Sequence, residues 1–417
     1  MKNYYMLLGL LAVFILSSPA CSKSNDGPNG REEESVEPDN IELATLGELS
    51  FAQVTTTGVV ITGFITDQGG AHVRSRGVCW STSPSPRVED ESAEAGSTKG
   101  SGEFSVQLSN LLPSTEYYVR AYARNAGGIA YSTDFSFRTT DVQSVEFATR
   151  PMFIIGSSLA SYDVEVLSNG GGQITELGVC WGEEGLPTVD GSQKAVYGGT
   201  EVNMGGVYRI NMANLSERRD YHLRAYAINE TGVSYGSAIP FRTIGKGNMT
   251  YTFNRADNPT AEEQAAYDRL QVAIDSAVWY VNNYTSVTKH VWLNYDPGVP
   301  TADANNEGWM RFGASADFHN IRTMLHEMNH TVGTGTTSWW WNSAIRNGTY
   351  QFPEANQIIK YINGDAAVIN GDSQHWWPYG LNQNSEVSSS WDYVYNCLII
   401  EAMRRDGMTS HSGPYDR

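Results

Sequence analysis

Two copies of one pattern, about a hundred residues apart, constrain this chain more than any other feature of its sequence. Gly77-Val78-Cys79-Trp80 returns as Gly178-Val179-Cys180-Trp181, an offset of 101, and Tyr117-Tyr118-Val119-Arg120-Ala121-Tyr122-Ala123 returns as Tyr221-His222-Leu223-Arg224-Ala225-Tyr226-Ala227, an offset of 104. The difference is a three-residue loop insertion. Each copy is rich in period-two runs such as Tyr118 to Ala123, and its turns carry Asn-Ala-Gly-Gly or Asn-Glu-Thr-Gly. Period-two alternation makes half-buried strands, and many short strands punctuated by Gly and Asn make a β-sandwich. Neither copy clusters His, acidic or nucleophilic residues, so both are expected to act as spacers.

Leu111-Leu112-Pro113-Ser114-Thr115-Glu116-Tyr117 resembles the tyrosine corner of fibronectin type III domains, in which a Tyr hydroxyl ties a strand start to nearby backbone. The second copy keeps Leu215 and Tyr221 but lacks the Pro and Thr. The resemblance implies two immunoglobulin/fibronectin type III-like sandwiches, at 41–140 and 141–245. Cys79 and Cys180 fall at equivalent strand positions of separate copies and Cys397 in a helical stretch, which predicts buried free thiols rather than a disulfide.

The chemistry concentrates after the repeats, where six of the eight histidines lie beyond residue 285. His326-Glu327-Met328-Asn329-His330 is an HExxH pattern inside a helical stretch, with Ile321, Leu325, Met328 and Val332 forming one apolar stripe. At the helical period His326 and His330 project roughly 125 to 165° from the centre of that stripe, so the helix is expected to bury one side and offer the histidines to a cleft on the other. Two imidazoles four positions apart can share a metal, and the adjacent carboxylate can reach a water held there. This is the arrangement of a zinc hydrolase.

A catalytic zinc takes three protein ligands, so one more must come from elsewhere in the chain. His375 is the candidate, in a Gly, Pro and aromatic-rich stretch from Gly371 to Gly380 that suits a loop delivering a side chain to a site. Glu386 and Glu401, further along, are the alternative donors. Glu327 is expected to accept a proton from the zinc-activated water and pass it to the leaving group. Tyr379 is the candidate donor to the oxyanion, and Asp372 the carboxylate that orients a ligand imidazole.

Read together, HEMNHTVGTGT (326–336) and HWWPYGLN (375–382) resemble the zincin metallopeptidase superfamily, and more narrowly a set of secreted bacterial zincin-like domains found beside carbohydrate-binding or immunoglobulin-like modules. The resemblance covers about residues 248 to 417. It implies one Zn2+ held by His326 and His330, with Glu327 as catalytic base. In the extended zincin pattern HExxHxxGxxH, Gly333 is in place but the last position is Thr336.

The expected domain, 246–417, is α+β. Thr260 and Glu263 form a capping-box signal for a helix running to about Asn283; strand-like runs follow at Val291 to Tyr295 and Gly308 to Phe312; a last helix lies near Ser388 to Arg405. Trp339, Trp340, Trp376 and Trp377 are the candidate lining of a substrate cleft that stacks on sugar rings or apolar side chains.

The N-terminus predicts the address. Lys2 precedes an apolar run from Met6 to Leu16, and Ser18-Pro19-Ala20-Cys21 resembles a bacterial lipobox with Ser where Leu is usual. Residues 1–20 are then a lipoprotein signal peptide, Cys21 the lipidated first mature residue, and 21–40 a flexible acidic tether. Ser22 does not resemble an inner-membrane retention signal, and the acid-rich stretch is similar to surface-exported lipoproteins of Bacteroidetes-type bacteria. The expectation is a monomer anchored in an outer membrane and exposed at the cell surface, cleaving protein or glycoprotein. The alternative is an adhesin or glycan-binding lipoprotein with a structural metal. A net charge of −18 argues against nucleic acid and anionic membrane as partners.

Overall fold

Alternation sets the strands of the repeat copies. Along Val59–Asp67 the residues Val59, Ile61, Gly63 and Ile65 are buried while Phe64, Thr66 and Asp67 are exposed, as a sheet with one face on a core requires. The computed structural model describes residues 40–98 and 100–409. The segments expected to be a signal peptide, the lipidated Cys21 and the tether up to residue 39 lie outside the described residues. Among those described, no helix is long and apolar enough to cross a membrane.

Both copies have the same strand order. In the first, Val59–Asp67 pairs with Thr45–Leu46, Ser50–Ala52 and Gly102–Leu108; the facing sheet runs Glu91–Thr98, Val73–Ser81, Glu116–Asn125 and Gly128–Tyr131, with Phe135–Arg138 also on Glu116–Asn125. In the second, Ala160–Ser168 pairs with Glu146–Ala148, Ile154–Ile155 and Val207–Met212, and Glu176–Gly182 lies between Gln193–Val196 and Asp220–Asn229. These are fibronectin type III-like β-sandwiches. The tyrosine corner is present in both: the Leu112 amide donates to Tyr117 Oη at 2.9 Å, and the Ser216 amide to Tyr221 Oη at 2.9 Å. The second copy keeps its corner without the Pro and Thr because the bond needs only a backbone N–H. Cys79, Cys180 and Cys397 are free and buried.

By proximity the chain forms two units. Among the described residues, one takes 40–51, Ile61–Val106 and Tyr118–Ser136; the other takes Ala52–Val60, Gln107–Tyr117 and 137–409, and so holds the whole second sandwich and the described residues that follow it.

After the sandwiches the pattern changes to α+β. A four-stranded sheet runs in the order Asn248–Asn254, Thr288–Tyr295, Trp309–Phe312, Ala302–Ala304, parallel except for the last, edge pairing. Helix α1 (Ala261–Tyr284) starts with the expected capping box, Thr260 accepting from the Glu263 amide and Glu263 from that of Thr260. Helix α2 (Ile321–Thr331) is capped by Asn320, whose side chain accepts from the Thr323 amide. Helices α3 (Pro353–Asn363) and α4 (Trp391–Arg405) follow. The start of α4 moves from Ser388 to Trp391 because the Asp392 carboxylate takes the amides of Ser388 and Ser389, holding them outside the helix. Leu270 and Ile274 of α1, Leu325 and Met328 of α2, Leu293 and Met310 of the sheet and Ile399 of α4 share one core.

Helix α2 departs from the expected one-sided burial. Arg322, Thr323, Glu327 and Asn329 are buried along with the apolar stripe, because α2 is an interior helix. Ile321, His326 and His330 are its residues that stay partly open. The proposed tryptophan cleft is also corrected. Trp340 and Trp376 are 0% and 2% exposed and belong to the core, Trp339 stacks on Phe352, and the exposed Trp377 does not line the histidine cleft. Burying an indole removes a large apolar area from water, which favours the core for Trp340 and Trp376.

Candidate metal centre

Helical spacing brings His326 and His330 together, and backbone carbonyls aim them. His326 Nδ1 lies 2.8 Å from Gly380 O, and His330 Nδ1 lies 2.8 Å from Thr334 O. A carbonyl only accepts, so both Nδ1 atoms carry the proton and both Nε2 atoms keep a lone pair. Those two Nε2 atoms face each other at 3.2 Å. Two lone pairs at that distance repel, whereas ligands of one tetrahedral zinc, each about 2.0–2.1 Å from it, sit about 3.3 Å apart.

The third imidazole arrives from a loop forty-five residues downstream. His375 stacks on the His326 ring at 5.4 Å and meets the His330 ring edge-on at 5.8 Å, and the ligand atoms of all three lie within 4.8 Å of one another. Asp372 shapes this loop: its Oδ1 accepts the amides of Gln374 and His375, both at 2.7 Å, and approaches His375 Nδ1 to 3.6 Å. Burial works against ionising Asp372, but the two amides outweigh it and hold the carboxyl below its usual range. The loop fits closely over the end of α2. Gly335 has φ +67°, and a Cβ there would lie 2.2 Å from Gln374 O. Thr336, where the extended zincin pattern has its last His, donates instead to His330 O at 2.6 Å.

Burial governs the electrostatics. It pushes His326 down to about 3, helped by His330 and His375, and it pushes His330 down as well, so these two rings are neutral and available to a cation at ordinary pH. Glu327, 4% exposed, is pushed up to about 8 by burial and then by Asp303, against the pull of Arg322, and its Oε2 is buried with no hydrogen-bond partner. All these groups line one cleft of about 340 Å³, which Thr301 and the edge strand Ala302–Ala304 also line. The three imidazoles, the committed Nδ1 atoms of His326 and His330 and the orphaned carboxylate oxygen fit a zinc ion.

Other predicted residues lie elsewhere. Tyr379 does not line the cleft; its hydroxyl donates to Asn363 Oδ1 at 2.9 Å, and its ring packs on Tyr395. A left-handed backbone, φ +71°, directs it away from the histidines. Glu401 binds Ser286 and Arg404, and Glu386 accepts the amides of Leu381 and Asn382. Neither joins the histidine group, which is His326, His330 and His375 among the described residues. Sequence reasoning missed Arg322, 6% exposed in the cleft wall, whose guanidinium donates to Leu381 O and Thr323 Oγ1 at 2.8 Å. Its place four residues before His326 was the available signal.

No family model and no curated protein matches this chain. Among solved structures, the FN1–FN3 domains of chicken CNTN1 are 14% identical over 48% of this chain and 67% of theirs, with a TM-score of 0.22. A structure described as a myokine is 16% identical over 24% of this chain and 99% of its own, with a TM-score of 0.19. Likeness at that level carries no argument, and the sandwich assignment stands on the strand pairing above.

Proposed function

We propose that residues 246–417 form a zincin-like domain that holds one zinc ion through His326, His330 and His375 and hydrolyses peptide bonds. The observation that carries this reading is the pair of Nε2 lone pairs facing each other at 3.2 Å with both Nδ1 protons already committed. When bound, zinc supplies Lewis acidity, polarising a carbonyl and bringing the pKa of a water to about 7. Glu327 Oε2, without a partner in the cleft wall, accepts the proton of the attacking water and returns it to the leaving amine. Arg322 is the cation beside it, favouring the ionised carboxylate that a base must be. The edge strand Ala302–Ala304, paired on one side with Trp309–Phe312, borders the cleft and suits an extended peptide.

We further read the chain as a lipoprotein anchored at Cys21 in an outer membrane and exposed at the surface, with the two sandwiches projecting the enzyme toward protein or glycoprotein substrates. The test is zinc content together with digestion of casein and of mucin, intact and deglycosylated, by wild type, His375→Ala and Glu327→Gln. Wild type is expected to hold one zinc per chain and to cleave in a chelator-sensitive way; His375→Ala loses zinc; Glu327→Gln keeps zinc and loses about 10²–10⁴-fold in rate. A wild type without zinc removes the metal reading. Cleavage by zinc-loaded Glu327→Gln at the wild-type rate removes Glu327 as base, and zinc without cleavage leaves a surface-binding protein. Equal cutting of both mucins excludes recognition through glycan.

A further inference from the structure

The segment from Trp376 to Asn382 follows the third histidine, and its own contacts show what it is for. Tyr379 and Leu381 both have left-handed backbones, φ +71° and +62°, and between them Gly380 sits so tightly that a Cβ would lie 1.8 Å from Trp376 O. L-residues adopt that conformation only where the surroundings impose it. Here they do so from three sides. The Glu386 carboxylate takes the Leu381 amide at 3.0 Å, the Asn382 amide at 3.0 Å and Asn382 Nδ2 at 2.9 Å. Arg322 of α2 grips Leu381 O at 2.8 Å, and Asn396 of α4 grips Tyr379 O at 2.7 Å. Of the carbonyls of Tyr379, Gly380 and Leu381, these contacts leave over that of Gly380, and it meets His326 Nδ1 at 2.8 Å.

We infer that Glu386 is a positioning residue for the metal centre: by holding the Tyr379–Asn382 turn it fixes the carbonyl that sets the tautomer and orientation of His326. This rests on reading His326, His330 and His375 as the metal site. Glu386 touches none of the imidazoles and does not itself line the cleft; it holds Asn382, which does, and reaches His326 through two amides and one carbonyl. Partners that orient a ligand histidine typically carry 10- to 100-fold in metal affinity. Their removal leaves the ring free to rotate or to exchange its proton between nitrogens.

The experiment is a titration of the full chain with Co2+, read by visible absorption under chelator competition, for wild type, Glu386→Gln, Glu386→Ala and Ser286→Ala. The last variant removes a hydrogen bond to Glu401 away from the turn and serves as the stability control. Co2+ affinity is expected to fall about 10- to 100-fold in Glu386→Ala and by less in Glu386→Gln, which keeps one acceptor oxygen. It stays unchanged in Ser286→Ala. The Nδ1–H proton resonance of His326 should broaden or shift in the Glu386 variants alone. If Glu386→Ala does not fold, Glu386→Gln decides. Glu386 variants with wild-type affinity, or a Ser286→Ala loss as large as theirs, overturn the positioning role. A wild type that takes up no Co2+ overturns the metal reading itself, and the inference falls with it.

Discussion

Glu327 concentrates the cost of this site in one side chain. Its carboxyl is raised to about 8 from an ordinary 4.5, so the folded metal-free chain resists its ionisation. Stability from this group is fully present below pH 4.5 and is lost as pH rises toward 8. His326, lowered from 6.5 to about 3, works in the opposite sense, its contribution lost as pH falls through that window. The metal-free chain should therefore be less stable at pH 8 than its Glu327→Gln variant, by on the order of 4 kcal/mol at most, and the gap should close toward pH 4.5. Urea unfolding in chelator across that range measures it; a pH-independent gap would mean that Glu327 ionises freely. His326, Glu327 and His330 were legible in the sequence because their geometry is local, set by the helical period. Tyr379 was misread because the direction of its ring depends on a left-handed backbone that no residue pattern announces.

At the scale of elements, the close fit between the end of α2 and the His375 loop makes the strongest prediction. Gly335→Ala combines a positive φ with a Cβ 2.2 Å from Gln374 O, so it must move the loop that carries His375. It should cost about 1–3 kcal/mol in stability and lower zinc affinity as well. Gly348→Ala, equally left-handed at φ +79° but with nothing within 4 Å of the new Cβ, should cost about 1 kcal/mol and leave zinc affinity unchanged. Thermal unfolding and chelator competition on both variants check this, and equal zinc affinity in the two would remove the fit as a determinant of the site. Helices α1 and α2 begin close to where caps and periodicity put them. The burial of Arg322, Thr323, Glu327 and Asn329 beside the apolar stripe was not legible, since which faces of a helix are covered depends on elements distant in the chain.

For the molecule as a whole, the second sandwich and α4 share an ionic and aromatic contact. Arg209 donates twice to Asp163 at 2.7 and 2.9 Å and once to Tyr395 Oη at 2.7 Å, and its guanidinium lies 4.5 Å above the Trp391 ring. The Arg209 side chain is 25% exposed, so Arg209→Met should cost about 2 kcal/mol, below the figure for a fully buried pair. Amide exchange in α4 should accelerate in that variant, and α4 exchange identical to wild type would show that the contact adds no stability. Nothing in the repeat pattern marks Arg209 as a contact to α4, because Tyr395 and Trp391 lie on a helix more than 180 residues away.

The sequence by itself determined what repeats or recurs locally: two sandwiches from period-two alternation, a capped α1, and an HExxH pair with its carboxylate on one helix. Those features rest on contacts a few residues apart, so a short run of letters carries them. Only folding settled that His375 rather than Glu386 or Glu401 completes the histidine group, that Trp340 and Trp376 fill the core instead of the cleft, and that Gly380 O and Thr334 O aim the ligands. Each of these is a choice among distant partners, made by packing. A backbone carbonyl belongs to every residue, so which one meets an imidazole is settled only when the chain folds.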